Sequence, residues 1–198
     1  MATPSSIRTF RMVLWALVVV AAIGATVLFF MRPALIDGPG GGTFSALDQR
    51  GNPVDQTIFV GHPTLLFFGY THCPDVCPTT MGEMQGWFST LGDEAKSLRA
   101  VFVTIDPSRD TPQILGDYIS FVSDRITGIT GPQSAIDKIV KDWNVTAEKV
   151  PGDGDDYTMN HTASVFLVNS KGEFVGTIAY GEATDTALTK IKRLVANS

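Results

Sequence analysis

A run of seven residues, Thr64–Tyr70 (TLLFFGY), ends directly against Thr71-His72-Cys73-Pro74-Asp75-Val76-Cys77-Pro78. Near-continuous apolar character over that length marks a strand buried on both faces, which needs cover above and below a sheet. Met81, Met84, Trp87 and Phe88 follow at spacings of three and four, so Thr79–Leu91 reads as a helix with one apolar stripe. The chain's two cysteines therefore sit where a buried strand gives way to a helix.

The rest of the chain supplies partners for that strand. Thr43–Leu47 and Val54–Thr57 read as a hairpin around Asp48–Asn52, and Ala100–Ile105 (AVFVTI) reads as a second buried strand. Thr111 is a fit N-cap with Pro112 at the first helical position, opening a helix that runs to Val122. Ile126–Ile129 reads as a short strand. Pro132–Trp143 reads as a helix with Ile136, Ile139, Val140 and Trp143 on one face. Ser164–Val168 and Glu173–Ile178 form a strand pair around Asn169–Gly172, and Thr184–Ala196 is a closing helix with Leu188, Ile191, Leu194 and Val195 inward. This alternation predicts an α/β layer structure with a mixed central sheet. Thiols placed just past a central strand, at a helix start, are the thioredoxin-like arrangement.

A second feature sets where such a domain resides. Met12–Met31 holds twenty residues without a charge. Twenty helical residues span roughly 30 Å, the hydrocarbon thickness of a bilayer. A cleavable signal segment is shorter, about 7–15 apolar residues. Ala21–Ala25 is small enough for cleavage, but Val27-Leu28-Phe29-Phe30 carries the apolar run past it. Arg8 and Arg11 precede the segment and Arg32 follows, a lean toward a cytoplasmic N-terminus. The expected organisation is a cytoplasmic stretch 1–11, a single-pass inner-membrane anchor 12–31, a flexible Gly/Pro linker 32–42, and a domain 43–198. That domain faces the periplasm, or the intermembrane space if mitochondrial. Residues 1–32 hold three of the fifteen basic residues and none of the twenty acidic ones, so the remainder carries a net charge of −8. That balance excludes nucleic acid as a partner, because binding it needs a basic surface.

Two cysteines outside the cytoplasm could form a plain structural disulfide. Their spacing points elsewhere. C-x-x-x-C differs from the redox C-x-x-C by one residue. Residues four apart share a face of a helix or tight turn, so both sulfurs can meet one external atom as well as each other. The positive end of a helix favours thiolate, the form that binds metal and attacks disulfides. Cys73 and Cys77 are thus a candidate redox-active pair and candidate metal ligands. Pro78 fits the first helical position.

A metal site needs a third ligand, and three histidines are available. His62 precedes Pro63 at a strand entrance. His72 abuts Cys73, with its side chain expected to project away from the sulfur. His161 ends Tyr157-Thr158-Met159-Asn160-His161, just ahead of a core strand whose entrance in a thioredoxin-like fold lies beside the cysteine loop. Position favours His161. Two thiolates and an imidazole form a soft set suited to Cu(I), and to Cu(II) with an added weak ligand. Structural zinc prefers four protein ligands. Met81 and Met84 fall on the core stripe of a helix, and they and Met159 are read as packing residues, since methionine fills irregular gaps. Asp75 reads as a turn-stabilising carboxylate that could also approach the metal. Gly152–Asp156 (GDGDD) reads as a solvated loop without the twelve-residue calcium pattern.

Three segments carry a family resemblance: Phe67–Pro78, Val103–Pro112, and Tyr157…His161 ahead of Phe166-Leu167 and Gly172. Over about residues 40–196 the chain resembles the Sco/SenC family of copper chaperones for cytochrome c oxidase. The resemblance implies a thioredoxin-like fold with copper, Cu(I) or Cu(II), held by Cys73, Cys77 and His161. It implies delivery of copper to the dinuclear copper site of cytochrome c oxidase subunit II, with a periplasmic copper donor or thiol reductant as a further partner. The alternative is a thiol–disulfide reductase that keeps the oxidase cysteines reduced, which needs Cys73 and Cys77 but not His161. A peroxide-reducing thiol protein is a third class, and the usual threonine-to-cysteine helix entry of peroxidases is not the pattern here. Asp106, Arg109 and Asp110 belong to the matched motif, and ion pairing with helix capping accounts for them.

Overall fold

The computed structural model describes residues 4–30, 40–154 and 156–198. The chain divides into two units, Met1–Leu35 and Ile36–Ser198. In the first, α1 (Pro4–Phe30) is 27 residues long. Its segment Arg8–Val27 has a mean hydropathy of 2.1 and no buried residue, so it is long and apolar enough to cross a membrane.

The second unit is built on a seven-stranded mixed sheet of β1 (Ser45–Asp48), β2 (Pro53–Asp55), β3 (Thr64–Gly69), β4 (Arg99–Thr104), β5 (Ile126–Thr130), β8 (Val165–Val168) and β9 (Phe174–Ile178). Their order across the sheet is β2-β1-β5-β4-β3-β8-β9. The run β3-β4-β5 is parallel, while β1 and β8 flank it antiparallel. The helices are α2 (Val76–Leu91), α3 (Pro112–Ser120), α4 (Gln133–Asp142) and α5 (Thr184–Ala196).

All six residues of β3 are buried, as its unbroken apolar run predicts. Alternation along the strand sends neighbouring side chains to opposite faces. Phe68 joins an aromatic cluster in which Trp143 lies 5.4 Å from Phe59, 5.9 Å from Phe166 and 6.3 Å from Phe68, ring centroid to ring centroid. Phe67 points the other way, 6.0 Å from Phe102 and 6.1 Å from the His161 ring. One face of β3 therefore serves packing alone, and the other leads to the functional residues.

Three features differ from the sequence reading. First, α2 begins at Val76 with Asp75 at its N-cap, so Pro78 is the third helical residue rather than the first. First-turn N–H groups have no intrahelical acceptor, and proline is tolerated throughout that turn. Second, the expected linker 32–42 falls largely on residues 31–39, outside the described residues, while its last glycines belong to the packed unit. The Gly40 N–H donates to the Asp142 carbonyl at 2.8 Å. Its φ is +94°, and a Cβ there would collide with the Trp143 indole, so only glycine fits. Third, β6 (Ala147–Pro151) and β7 (Tyr157–His161) form a separate two-stranded antiparallel sheet. Their residues are mostly polar and exposed, which left no apolar pattern to reveal them. Gly152–Asp156 is the turn between them, with the Gly152 N–H donating to the Asp156 carbonyl at 2.9 Å; Asp155 lies outside the described residues.

Candidate metal centre

Cys77 lies in the first turn of α2 and is completely buried. Cys73 occupies the preceding turn, half-buried, and its N–H donates to the Tyr70 carbonyl at 3.2 Å. The Cys77 N–H, one of the orphan donors of the helix start, points at the Cys73 sulfur from 3.4 Å. Both cysteines are free thiols. Gly69, the last residue of β3, makes room for this arrangement: a Cβ there would lie 2.8 Å from the Cys77 sulfur.

His161 arrives from 84 residues away, with Nε2 3.5 Å from the Cys77 sulfur. The two sulfurs and an imidazole nitrogen all lie within 4.8 Å of one another. Metal bonds of about 2.3 Å to sulfur and 2.0 Å to nitrogen place trigonal ligand atoms roughly 3.7–4.0 Å apart. The Cys77–His161 pair, at 3.5 Å, is already within a few tenths of an ångström of that spacing, and no pair in the set need move by more than about 1 Å to hold a soft ion. His161 Nδ1 lies 3.0 Å from the Thr162 carbonyl, which can only accept. Nδ1 therefore carries the proton, and Nε2 turns a free lone pair toward the sulfurs. Phe67 and Tyr70 stand edge-on to the ring at 6.1 and 6.0 Å, an apolar wall that fixes its plane.

The two thiols titrate as a pair. The Cys77 thiol donates to Cys73, and this is the main reason the Cys73 thiol is held well below its ordinary value; burial opposes it, and backbone N–H groups assist. Cys77 is pushed far up, first by donating that hydrogen bond and then by burial. The first proton leaves easily and the second does not. A soft cation placed between the sulfurs replaces the second proton and removes the penalty of a paired negative charge.

The remaining candidates are placed as follows. His62 lies at the other end of β3, ahead of Thr64, with its carbonyl accepting from the Thr64 hydroxyl at 3.1 Å. His72 is half-exposed and turns from the sulfurs, its Nδ1 3.0 Å from the Thr71 hydroxyl and 4.0 Å from Asp110. Met81 and Met84 are fully buried in the core. Met159 lines the cleft over the thiols with Tyr70, Pro74, Asp75 and Asn160, a space of about 300 Å³. Asp75 is exposed, and its carboxylate accepts from the Thr79 hydroxyl at 3.4 Å.

Sequence reasoning passed over the part played by the β4–α3 loop. Asp110 is fully buried and accepts from the Thr71 N–H at 3.0 Å, the Thr71 hydroxyl at 2.6 Å and the Thr104 hydroxyl at 2.5 Å. It bolts the cysteine loop to β4. Burial raises its carboxyl above the usual range, although hydrogen bonds from Thr104 and Thr71 counteract this. Asp106 is also buried, and it accepts from Ser108 at 2.6 Å, Arg109 at 2.5 Å and the Tyr157 hydroxyl at 2.9 Å. The available signal was a largely polar string, Asp106–Thr111, following closely on the buried apolar run Ala100–Val103.

Comparison with known proteins agrees with this geometry. The SCO1/SenC family profile matches residues 36–196. A SCO2-like protein of Rickettsia felis is 33% identical over 137 residues, 68% of this chain and 67% of that protein. The mitochondrial protein SCO2 of Saccharomyces cerevisiae is 30% identical over 159 residues, and the match spans 78% of this chain but only 52% of the yeast protein. Among solved structures, copper-bound ScoI of Bradyrhizobium japonicum superposes with a TM-score of 0.71 at 38% identity, covering 77% of this chain and 98% of that one. Copper-bound yeast Sco1 superposes with a TM-score of 0.72 at 28% identity, covering 79% and 88%. The fold is the thioredoxin-like α/β fold of these proteins.

Proposed function

The chain belongs to the SCO1/SenC family, and from that premise we propose that it is a metallochaperone in which Cys73, Cys77 and His161 hold one copper ion for delivery to the dinuclear copper site of cytochrome c oxidase subunit II. The observation that carries the reading is the approach of His161 Nε2, in a fixed tautomer, to 3.5 Å from the Cys77 sulfur. Copper is the cargo. Two thiolates and an imidazole suit Cu(I), and the cleft above Cys73 leaves room for the weak further ligand that Cu(II) takes. Cys73 is the half-exposed ligand, so an incoming thiolate from an acceptor protein reaches the ion on its side, and copper passes by ligand exchange. In this reading residues 1–11 are cytoplasmic, 12–31 anchor the chain in the inner membrane, 32–39 form the tether, and the domain 40–198 works in the periplasm or intermembrane space.

A second activity has its own support in the contrast between the two thiols. Cys73 is half-exposed and readily ionised, whereas Cys77 is buried and retains its proton. The Cys73 thiolate can attack a target disulfide, expelling one target thiolate and forming a mixed disulfide. Cys77 then displaces the second target thiolate and closes a Cys73–Cys77 disulfide. The target leaves as a dithiol, and an external thiol reductant must reopen the pair.

The deciding experiment is copper analysis with oxidase complementation. The wild-type chain should carry about one copper, and His161→Ala, left with two thiolates, should bind it much more weakly and fail in oxidase assembly. Unchanged copper in His161→Ala would reject His161 as a ligand. Full complementation by a copper-free His161→Ala, with both cysteines intact, would establish the reductase as the working activity.

A further inference from the structure

Among the described residues, β6 and β7 pair with each other and share no ladder hydrogen bonds with the main sheet, so side chains help to set their position. Alternation puts Tyr157, Met159 and His161 on one face of β7, all half-buried. Tyr70 receives the Met159 N–H at 3.1 Å. The other anchor is Tyr157. Its hydroxyl donates to Asp106 at 2.9 Å and lies 3.1 Å from the Ser108 hydroxyl, and its carbonyl accepts from Arg109 Nη1 at 3.0 Å. The Arg109 guanidinium lies 3.6 Å from the Tyr157 ring centroid, and the Lys149 ammonium lies 3.5 Å from it. Two cations at that height cannot share a face, so the ring is held between them.

We propose that Arg109, set by Asp106, is a positioning residue for His161, acting through Tyr157. Arg109 touches none of the three candidate ligands in a hydrogen bond; its bonds run to Asp106 and the Tyr157 carbonyl, with Asp156 at 3.6 Å. The same loop grips the cysteine loop through Asp110 and Thr71. One short segment thus holds both halves of the site in register, and Arg109 and Asp106 are the part of it directed at the histidine.

The inference rests on the copper reading above, and a double-mutant cycle separates the two. Cu(I) affinity is measured by competition with a colorimetric Cu(I) chelator, using the full chain in detergent. Four proteins are compared: wild type, Arg109→Gln, His161→Ala and the double variant. Arg109→Gln should weaken Cu(I) binding about tenfold, the lower end of what outer-shell changes cost at metal sites. It should also shift the thiolate-to-Cu(II) absorption band. In the His161→Ala background the same substitution should change affinity less than twofold, because nothing remains for it to position. Tyr157→Phe keeps the ring, removes the hydroxyl with its contacts to Asp106 and Ser108, and should give a smaller loss with the same dependence on His161. It carries the test if Arg109→Gln fails to fold. Equal losses in both backgrounds, or none in either, would overturn the proposal while leaving the copper reading intact. Unchanged affinity in His161→Ala alone would instead overturn the copper reading.

Discussion

Replacing Gly69 with alanine adds one methyl group at the most crowded point behind the thiols. The new Cβ would sit 2.8 Å from the Cys77 sulfur and 3.0 Å from two ring carbons of Phe102. Favourable carbon contacts lie at about 3.5–4.0 Å, so the sulfur or the strand must retreat by nearly 1 Å. The backbone is not the obstacle, since Gly69 has no positive φ. Alanine by itself suits a strand interior better than glycine does. Overpacking a tight core costs about 1–3 kcal/mol, and for a chain of this size each kcal/mol lowers Tm by about 2–4 °C. Thermal unfolding should therefore move down by roughly 2–12 °C on the same scale. Copper should suffer separately, because functional side chains must be held to within about 0.5 Å. The rise in Tm on adding copper, which follows ligand concentration over Kd, should shrink in Gly69→Ala. In a Cys77→Ala background the sulfur contact is gone, so the penalty of Gly69→Ala should fall. A variant that unfolds with wild-type Tm and keeps the wild-type copper spectrum would refute the reasoning, as would an undiminished penalty without the Cys77 sulfur.

Two further predictions separate packing from site. Trp143→Ala empties the aromatic cluster of Phe59, Phe68 and Phe166 and should cost about 3–5 kcal/mol in denaturant unfolding. Copper stoichiometry should persist, because this cluster lies on the face of β3 opposite Phe67 and His161; loss of copper binding in a folded Trp143→Ala would contradict that. Burial alone would push the Asp106 carboxyl up, but hydrogen bonds from Ser108, Arg109 and Tyr157 outweigh it and hold the group below its ordinary 3.8. A carboxyl lowered in the folded state adds stability that is complete above its unfolded value and disappears as pH falls through the folded one. The stability advantage of wild type over Asp106→Asn should therefore hold at pH 5 and shrink as pH drops below about 4, followed by urea unfolding at each pH. A difference that stays flat with pH would show that Asp106 is not the titrating group.

Several elements were legible because local pattern alone decides them. Thr64–Gly69 announces a doubly buried strand by having no polar position to expose, and α2 announces its inner face through Met81, Met84, Trp87 and Phe88. Thr111 caps α3 through its hydroxyl, which accepts from the Ile114 N–H, and Pro112 opens the helix, as their chemistry requires. The cysteine pair was legible for the same reason: four residues at a helix start confine two sulfurs to one neighbourhood. The hairpin β6–β7 was not, since a half-exposed polar ribbon leaves no apolar period to read. Nor was the burial of Asp106 and Asp110, because a carboxylate looks the same in a chain whether water surrounds it or, as at Asp110, two hydroxyls and an amide do. The need for glycine at position 69 follows only from a sulfur eight residues later folding back over it. Which side chains could hold a soft ion, and where the buried strands run, is written in the order of residues, because periodicity records which groups must leave water. That His161 meets Cys77 across 84 residues, and that Arg109 and Asp106 grip the hairpin bearing it, emerges once the chain is folded. Those distances depend on how separate elements pack, which no local pattern encodes.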